Sequence, residues 1–64
     1  MGDYTRPVKI ILSNNGCYFV RQGKGDHEIW YSPIVNQNVA VDGTITKRSS
    51  ANNTLKKAGI KQKV

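Results

Sequence analysis

A predicted β-hairpin constrains the fold of this chain more than any other feature of its sequence. The runs CYFVRQ (17–22) and HEIWYS (27–32) are rich in aromatic and β-branched residues, and the connection GKGD (23–26) contains two glycines. Two such runs with a short glycine-bearing loop are typical of paired antiparallel strands. Pro33 is expected to end the second strand, because proline cannot donate a hydrogen bond to the sheet. The remaining segments must cover one face of this hairpin.

The segment before the hairpin predicts a short helix. In TRPVKIILSNNG (5–16) the apolar residues recur at the spacing of one helical face. Thr5 is expected to cap the N-terminus of this helix through its side chain. Asn15 or Gly16 is expected to take the left-handed conformation that closes many helices. The residues predicted to face the core are Val8, Ile11 and Leu12.

The segments after the hairpin predict a third strand and a second helix. NVAVDG (38–43) reads as a short strand that ends at an Asp-Gly turn signal. RSSANNTLKKAGI (48–60) reads as a helix with Ser49 or Ser50 as its N-cap and Gly59 at its C-terminal end. Its buried face is predicted to contain Ala51, Leu55 and Ala58.

The predicted fold class is therefore α+β, in the order α-β-β-β-α. Strands that follow one another in sequence favour an antiparallel sheet, with both helices on one face. Residues 1–64 are predicted to form a single domain with a frayed tail at 61–64. With Trp30 in the core, strand alternation places Glu28 on the same side and the side chains of His27, Ile29 and Tyr31 on the opposite, uncovered face.

The charge balance indicates a polyanionic partner. Ten Lys and Arg against four Asp and Glu give a net charge of +6 and a pI of about 9.8. On so small a body this charge favours nucleic acid, although a basic surface that merely maintains solubility is the competing interpretation. The residues predicted to contact phosphate are Arg21, Gly23, Lys24, Gly25, Lys47, Arg48, Lys56 and Lys57.

Cysteine and histidine usage argues against several other classes of protein. Cys17 is the only cysteine, so no internal disulfide can form, and it is predicted to be a small buried residue. The spacing of Cys and His fits no metal site, and no cofactor is expected. A lone thiol and the lack of a signal-peptide or membrane-spanning pattern predict a cytoplasmic protein.

The single histidine, His27, is the candidate catalytic residue. Imidazole titrates near neutral pH and is the usual proton-transfer group there. A histidine can take the proton from a ribose 2′-hydroxyl, which then attacks the adjacent phosphate, and this chemistry selects RNA over DNA. Arg21 and Lys24 are close enough in sequence to stabilise the developing charge. By spacing alone, however, a plain nucleic-acid-binding role for this segment is favoured over a catalytic one.

The motifs VRQGKGDHEIWYSP (20–33), VAVDGTI (39–45) and TLKKAGI (54–60) together resemble the HicA toxins of bacterial and archaeal toxin–antitoxin systems. That resemblance implies a double-stranded-RNA-binding-like fold and a ribosome-independent mRNA endonuclease neutralised by a HicB antitoxin. The catalytic histidine of the family corresponds to His27, and its loop glycine to Gly25. Two residues depart from the family pattern, because Asp26 stands where many members have serine and Glu28 where many have a second histidine.

Three functions follow as hypotheses. The first is an RNase toxin that uses His27 as its acid–base residue, with a HicB-like antitoxin covering the face that bears His27, Ile29 and Tyr31. The second is a non-catalytic RNA-binding module with the same fold and the same basic residues. The third is a small basic scaffold protein of a larger particle.

Overall fold

The computed structural model describes residues 3–64 and contains two helices and one three-stranded sheet. The strands lie in the order β1-β2-β3, and both pairs are antiparallel. This arrangement confirms the predicted α+β fold and its element order. The elements are α1 (Thr5–Asn14), β1 (Tyr18–Gln22), β2 (His27–Ser32), β3 (Gln37–Asp42) and α2 (Arg48–Lys57).

The hydrophobic core lies between one face of the sheet and both helices. Trp30 of β2 and the two inward valines of β3 meet the apolar faces of α1 and α2, and Ile45 from the β3–α2 connection packs among them. Cys17 is buried in the same cluster, as predicted. The predicted helix faces are also confirmed, because all six of their residues are buried: Val8, Ile11, Leu12, Ala51, Leu55 and Ala58.

Both helices end as the sequence predicts. Gly16 follows α1 with φ +86°, and Gly59 follows α2 with φ +82°. The next N–H along the chain then donates back over the last turn, from Cys17 to the Leu12 carbonyl and from Ile60 to the Leu55 carbonyl. These are the bonds expected where a left-handed glycine closes a helix.

The start of α1 differs from its prediction. Thr5 is the first residue of the helix rather than its cap; Tyr4 occupies the N-cap position and makes no side-chain capping bond. The Thr5 hydroxyl instead accepts a hydrogen bond from the Ile45 N–H at 2.8 Å, and the Thr5 N–H donates to Oδ1 of Asp3 at 3.2 Å. The Thr5 hydroxyl, which the local pattern predicted would cap the helix, therefore takes part in a tertiary contact instead.

The start of α2 differs in the same way. Ser49 and Ser50 lie inside its first turn, and extended Lys47 precedes the helix without a side-chain capping bond. The predicted serine cap is therefore wrong. The Ser50 carbonyl accepts a hydrogen bond from the hydroxyl of buried Thr54, one helical turn later.

The sheet presents one face to solvent, as the alternation along β2 predicts. This outer face, on the side of the sheet away from the hydrophobic core, bears His27, Ile29 and Tyr31 of β2 opposite Asp42, Ala40 and Asn38 of β3. His27 is exposed, whereas Ile29 and Tyr31 are half-buried. β1 is an edge strand that is exposed along its whole length, with its pairing to β2 shifted by a bulge between Phe19 and Arg21.

Two contacts fasten the end of the chain to the rest of the fold. The buried Ser32 hydroxyl, at the end of β2, donates to the Ala58 carbonyl at 2.6 Å. Residues 61–64, expected to fray, form no helix or strand. The Val64 N–H nevertheless donates to Oδ1 of Asn52 at 2.9 Å, and the Val64 side chain packs against the core. The tail is thus tethered to α2 at its end.

Among the helices formed by residues 3–64, none is long and apolar enough to cross a membrane.

Candidate active site

A histidine–carboxylate pair lies at one end of the outer face. β2 begins at His27 and β3 ends at Asp42, and the antiparallel register places these two residues opposite each other. Nδ1 of His27 lies 2.9 Å from Oδ1 of Asp42, which is an ion pair when the imidazole is protonated. With Nδ1 beside the carboxylate, Nε2 is the ring nitrogen that is left to exchange a proton with a ligand. Both side chains are about half exposed, at 55% and 48%, so a ligand can reach them.

Close backbone contacts hold the loop that precedes the histidine. The Gly43 N–H, just after β3, donates to the Asp26 carbonyl at 2.7 Å. A Cβ at Gly43 would lie 2.5 Å from that oxygen, so only glycine fits there without a shift. On the other side, the Gly23 N–H donates to the His27 carbonyl at 2.8 Å, and the Gln22 side chain donates to the same carbonyl at 2.9 Å. The backbone of residues 26–27 is therefore held from the β1 side at His27 and from the β3 side at Asp26.

The pair opens into a small cleft against α2. This cavity, which we term the His27 cleft, has a volume of about 210 Å³. From the sheet it is lined by the His27–Asp42 pair and Ala40, and from α2 by hydroxyl, amide and ammonium groups. It therefore combines a proton acceptor with a positive charge and several hydrogen-bonding groups. The α2 residues that line it are Ser50, Asn53, Thr54 and Lys57.

Glu28, although adjacent in sequence to the histidine, belongs to a different environment. Its side chain lies on the core side, where Oε1 accepts a hydrogen bond from Trp30 Nε1 at 2.9 Å and Oε2 one from Lys9 Nζ at 3.1 Å. The hydrogen bond from Trp30, aided by that from Lys9 and its charge, lowers the pKa of Glu28 below its ordinary value. The carboxylate that contacts the imidazole is therefore Asp42, and Glu28 is an anchor between β2 and α1.

The predicted phosphate contacts are only partly brought together. Lys57 lines the His27 cleft, but the cavity includes neither Arg21 nor Lys24, the two residues predicted to stabilise charge beside the histidine. Arg21 lies opposite Ile29 on the outer face, and Lys24 is exposed in the hairpin loop.

The remaining predicted contacts are spread over the surface. Lys47 and Arg48 are exposed at the start of α2, whereas Lys56 lines a second groove near its end. Gly25 has open space around its α-carbon, which is consistent with close approach of a phosphate. The Gly23 N–H already donates to the His27 carbonyl at 2.8 Å, and its predicted contact with phosphate stays a prediction.

Sequence reasoning missed Asp42 as a site residue, because it treated Asp42 only as part of a turn signal. A signal was present in the register. If residues 33–36 form the turn between β2 and β3, pairing outward from that turn places Asp42 opposite His27. Ser50 and Asn53 carry no such signal, since their approach to the cleft depends on how α2 packs against the edge of β3.

Comparison with known proteins provides no identification. No family model matches the chain, and no curated protein or solved structure is similar to it at a significant level.

Proposed function

We propose that this chain is an endoribonuclease in which His27 is the acid–base residue and Asp42 orients it. The observation that carries the proposal is the 2.9 Å contact between His27 Nδ1 and Asp42 Oδ1 at the mouth of a cleft that also contains Lys57. A carboxylate in this position holds the imidazole in one tautomer and one orientation. Asp42 acts through the histidine and is a positioning residue.

The chemistry uses the nucleophile that RNA itself supplies. Nε2 of His27 takes the proton from a ribose 2′-hydroxyl, and the 2′-oxygen attacks the adjacent phosphorus. The bond to the 5′-oxygen breaks, and that oxygen is protonated by water. The products are a 2′,3′-cyclic phosphate and a 5′-hydroxyl, and no metal-activated water is needed. The ammonium group of Lys57 stabilises the additional negative charge of the transition state.

The biological role proposed here is that of a HicA-like toxin that cleaves mRNA. Its support is the sequence resemblance around His27, together with the α-β-β-β-α fold and the net charge of +6. A HicB-like antitoxin would neutralise the toxin by covering the outer face, where His27, Ile29 and Tyr31 lie side by side. Carboxylates on that partner would complement the basic surface of the toxin.

The test of the activity is a set of variants assayed with purified protein and a single-stranded RNA. His27→Ala is expected to abolish cleavage and growth inhibition while the circular dichroism spectrum and melting temperature stay close to wild type, because the side chain is half exposed. Asp42→Asn is expected to lower kcat by roughly 10²–10⁴ while RNA binding persists. Asn38→Ala, on the same face but away from the cleft, is the matched control.

Two results would count against the mechanism. Undiminished cleavage by His27→Ala would remove the histidine from the reaction, and products with a 3′-hydroxyl would exclude attack by the 2′-oxygen. If the wild-type protein binds RNA and never cleaves it, the chain is the non-catalytic RNA-binding module that the same fold and charge also support.

A further inference from the structure

The net positive charge of this protein is confined to one part of its sequence. Residues 1–42 contain four basic and four acidic residues and are neutral overall, whereas residues 43–64 contain six basic residues and no acidic ones. The whole net charge of +6 therefore belongs to the segment that forms α2 and its flanks. An anionic ligand is attracted to this side of the molecule.

A groove collects half of these charges. This cavity, which we term the lysine groove, has a volume of about 570 Å³ and lies between the second half of α2 and the tail that follows it. Lys56 comes from the helix, and Lys61 and Lys63 come from the tail. None of the described residues that line the groove is acidic. The other lining residues are Asn52, Asn53, Gly59, Ile60 and Gln62.

The tail lysines are held in place by contacts on both sides of them. Ile60 is buried in the core immediately before them, and the Val64 N–H donates to the Asn52 side chain immediately after them. The segment that carries Lys61 and Lys63 therefore runs between two fixed points. Holding like charges close together is unfavourable by itself, and a bound anion offsets this cost.

The lysine groove and the His27 cleft meet at one residue. Asn53 lines both cavities, so a ligand can pass from the His27–Asp42 pair across α2 to the three lysines. We infer that the lysine groove is a subsite for the phosphodiester backbone of the RNA strand, beyond the bond that is cleaved. This inference rests on the proposed ribonuclease activity and adds to it the path of the substrate.

The chemistry of the groove favours phosphates over bases. Its charged groups are lysine ammoniums, which act as point charges toward phosphate oxygens. Among the described residues that line it, none is aromatic, so it lacks the stacking surface that usually holds single-stranded bases. The larger cavity of about 670 Å³ on α1 is a weaker candidate, because it includes the Asp3 carboxylate and its Lys9 is paired with Glu28.

A binding experiment tests the groove independently of catalysis. In a His27→Ala background, the double change Lys61→Gln and Lys63→Gln is titrated against a fluorescent single-stranded RNA of about twelve nucleotides at several salt concentrations. Each lost phosphate contact should flatten the slope of log K against log salt by about 0.7, so two should raise Kd roughly tenfold or more near 0.1 M salt. Arg6→Glu is the matched control, since it also lowers the net charge from +6 to +4 but lies on α1.

A cleavage experiment with the same changes in the wild-type background tests the path. The ratio of kcat/KM for the longer RNA to that for a dinucleotide should fall in the lysine double variant and stay unchanged in Arg6→Glu. Only the longer strand reaches past the cleft, so loss of the groove affects it selectively.

The outcomes separate this inference from the proposed activity. Equal effects of the lysine double variant and Arg6→Glu on Kd and on the salt slope would overturn the subsite, even if His27-dependent cleavage is found; the lysines would then serve an acidic protein partner or solvent. A selective loss of affinity in a protein that never cleaves RNA would leave the groove as a phosphate site and refute the ribonuclease. An RNA affinity too weak to measure would overturn the subsite, whatever the cleavage assay shows.

Discussion

At the scale of single residues, two consecutive residues of β2 have different roles because their side chains lie on opposite faces of the sheet. His27 turns outward to Asp42, and Glu28 turns inward to Trp30 and Lys9. The alternation of a strand makes this division possible within two consecutive residues. One carboxylate thus serves the candidate site, and the other stabilises the fold.

The free energy of unfolding should depend on pH through the ionisation of the Glu28 carboxylate. Its pKa is lower in the folded chain than the ordinary 4.5, so its ionised form is stabilised by folding. This contribution is fully present above that ordinary pKa and is lost as the pH falls through the folded value. Glu28→Gln should therefore lower the free energy of unfolding by about 1 kcal/mol at neutral pH. The gap between the two proteins should close in acid.

Urea unfolding at neutral pH and at a pH well below the ordinary value measures this gap. Asp26→Asn is the control, because it removes an equal charge from the exposed hairpin loop. A difference between wild type and Glu28→Gln that is the same at both pH values would show that the charge of Glu28 is not what stabilises the fold.

At the scale of elements, the end of β2 is joined to the end of α2 by one buried hydroxyl. Ser32 is fully buried, and its Oγ–H donates to the Ala58 carbonyl at 2.6 Å. That carbonyl lies at the C-terminal end of the helix, where backbone oxygens lack intrahelical donors. The bond therefore helps to fix α2, which carries one wall of the His27 cleft and one wall of the lysine groove.

Ser32→Ala should destabilise the protein because it leaves the Ala58 carbonyl buried without this donor. The expected loss is about 1–3 kcal/mol, which corresponds to a fall in melting temperature of roughly 4 °C or more in a domain of this size. Ser13→Ala, on the exposed side of α1, should change the melting temperature little. Equal melting temperatures for the two variants, measured by calorimetry, would mean that the hydroxyl contributes nothing to stability.

At the scale of the whole molecule, the two surfaces of the protein have different chemistry. The side formed by α2 and the tail carries the net positive charge, whereas the outer face of the sheet is mixed, with half-buried Ile29 and Tyr31 beside exposed Asn38 and Ala40. An RNA backbone suits the first surface. A folded protein partner suits the second, and binding there would stabilise a domain with a small core.

A bulky change on the outer face should separate partner binding from cleavage. Asn38 lies opposite Tyr31 on that face and is not part of the His27 cleft. Asn38→Trp is expected to weaken binding of the proposed HicB-like antitoxin by about tenfold, or about 1.4 kcal/mol, and to leave the proposed RNA cleavage unchanged. Gln37→Trp is the matched control, since its neighbouring position pairs with inward-facing Ser32.

Co-expression with the product of the gene directly adjacent to this one, followed by titration calorimetry, measures the effect. Neutralisation of Asn38→Trp at wild-type affinity would place the antitoxin elsewhere on the molecule.

Much of the fold could be predicted from local patterns. The helix faces, the glycine-closed helix ends and the alternation along β2 depend on residues close together in sequence, and the structure confirms them. The predicted helix starts were wrong because they depend on contacts with residues that are distant in sequence. The Thr5 hydroxyl is used by Ile45, which is forty positions away, and a capping rule that reads only neighbouring residues cannot anticipate such a competitor.

The same distinction applies to the candidate site, of which one part could be predicted from the sequence and another could not. The sequence by itself determined that His27 is the only histidine, that it faces solvent at the start of a strand, and that all net charge lies after residue 42. Only the tertiary structure decided that Asp42 lies beside this histidine and that Asn53 lines both its cleft and the groove with three lysines. The physical reason is that the direction of a side chain follows from local backbone geometry. The contacts between distant residues depend instead on strand register and on the packing of α2, which are fixed only when the core is buried.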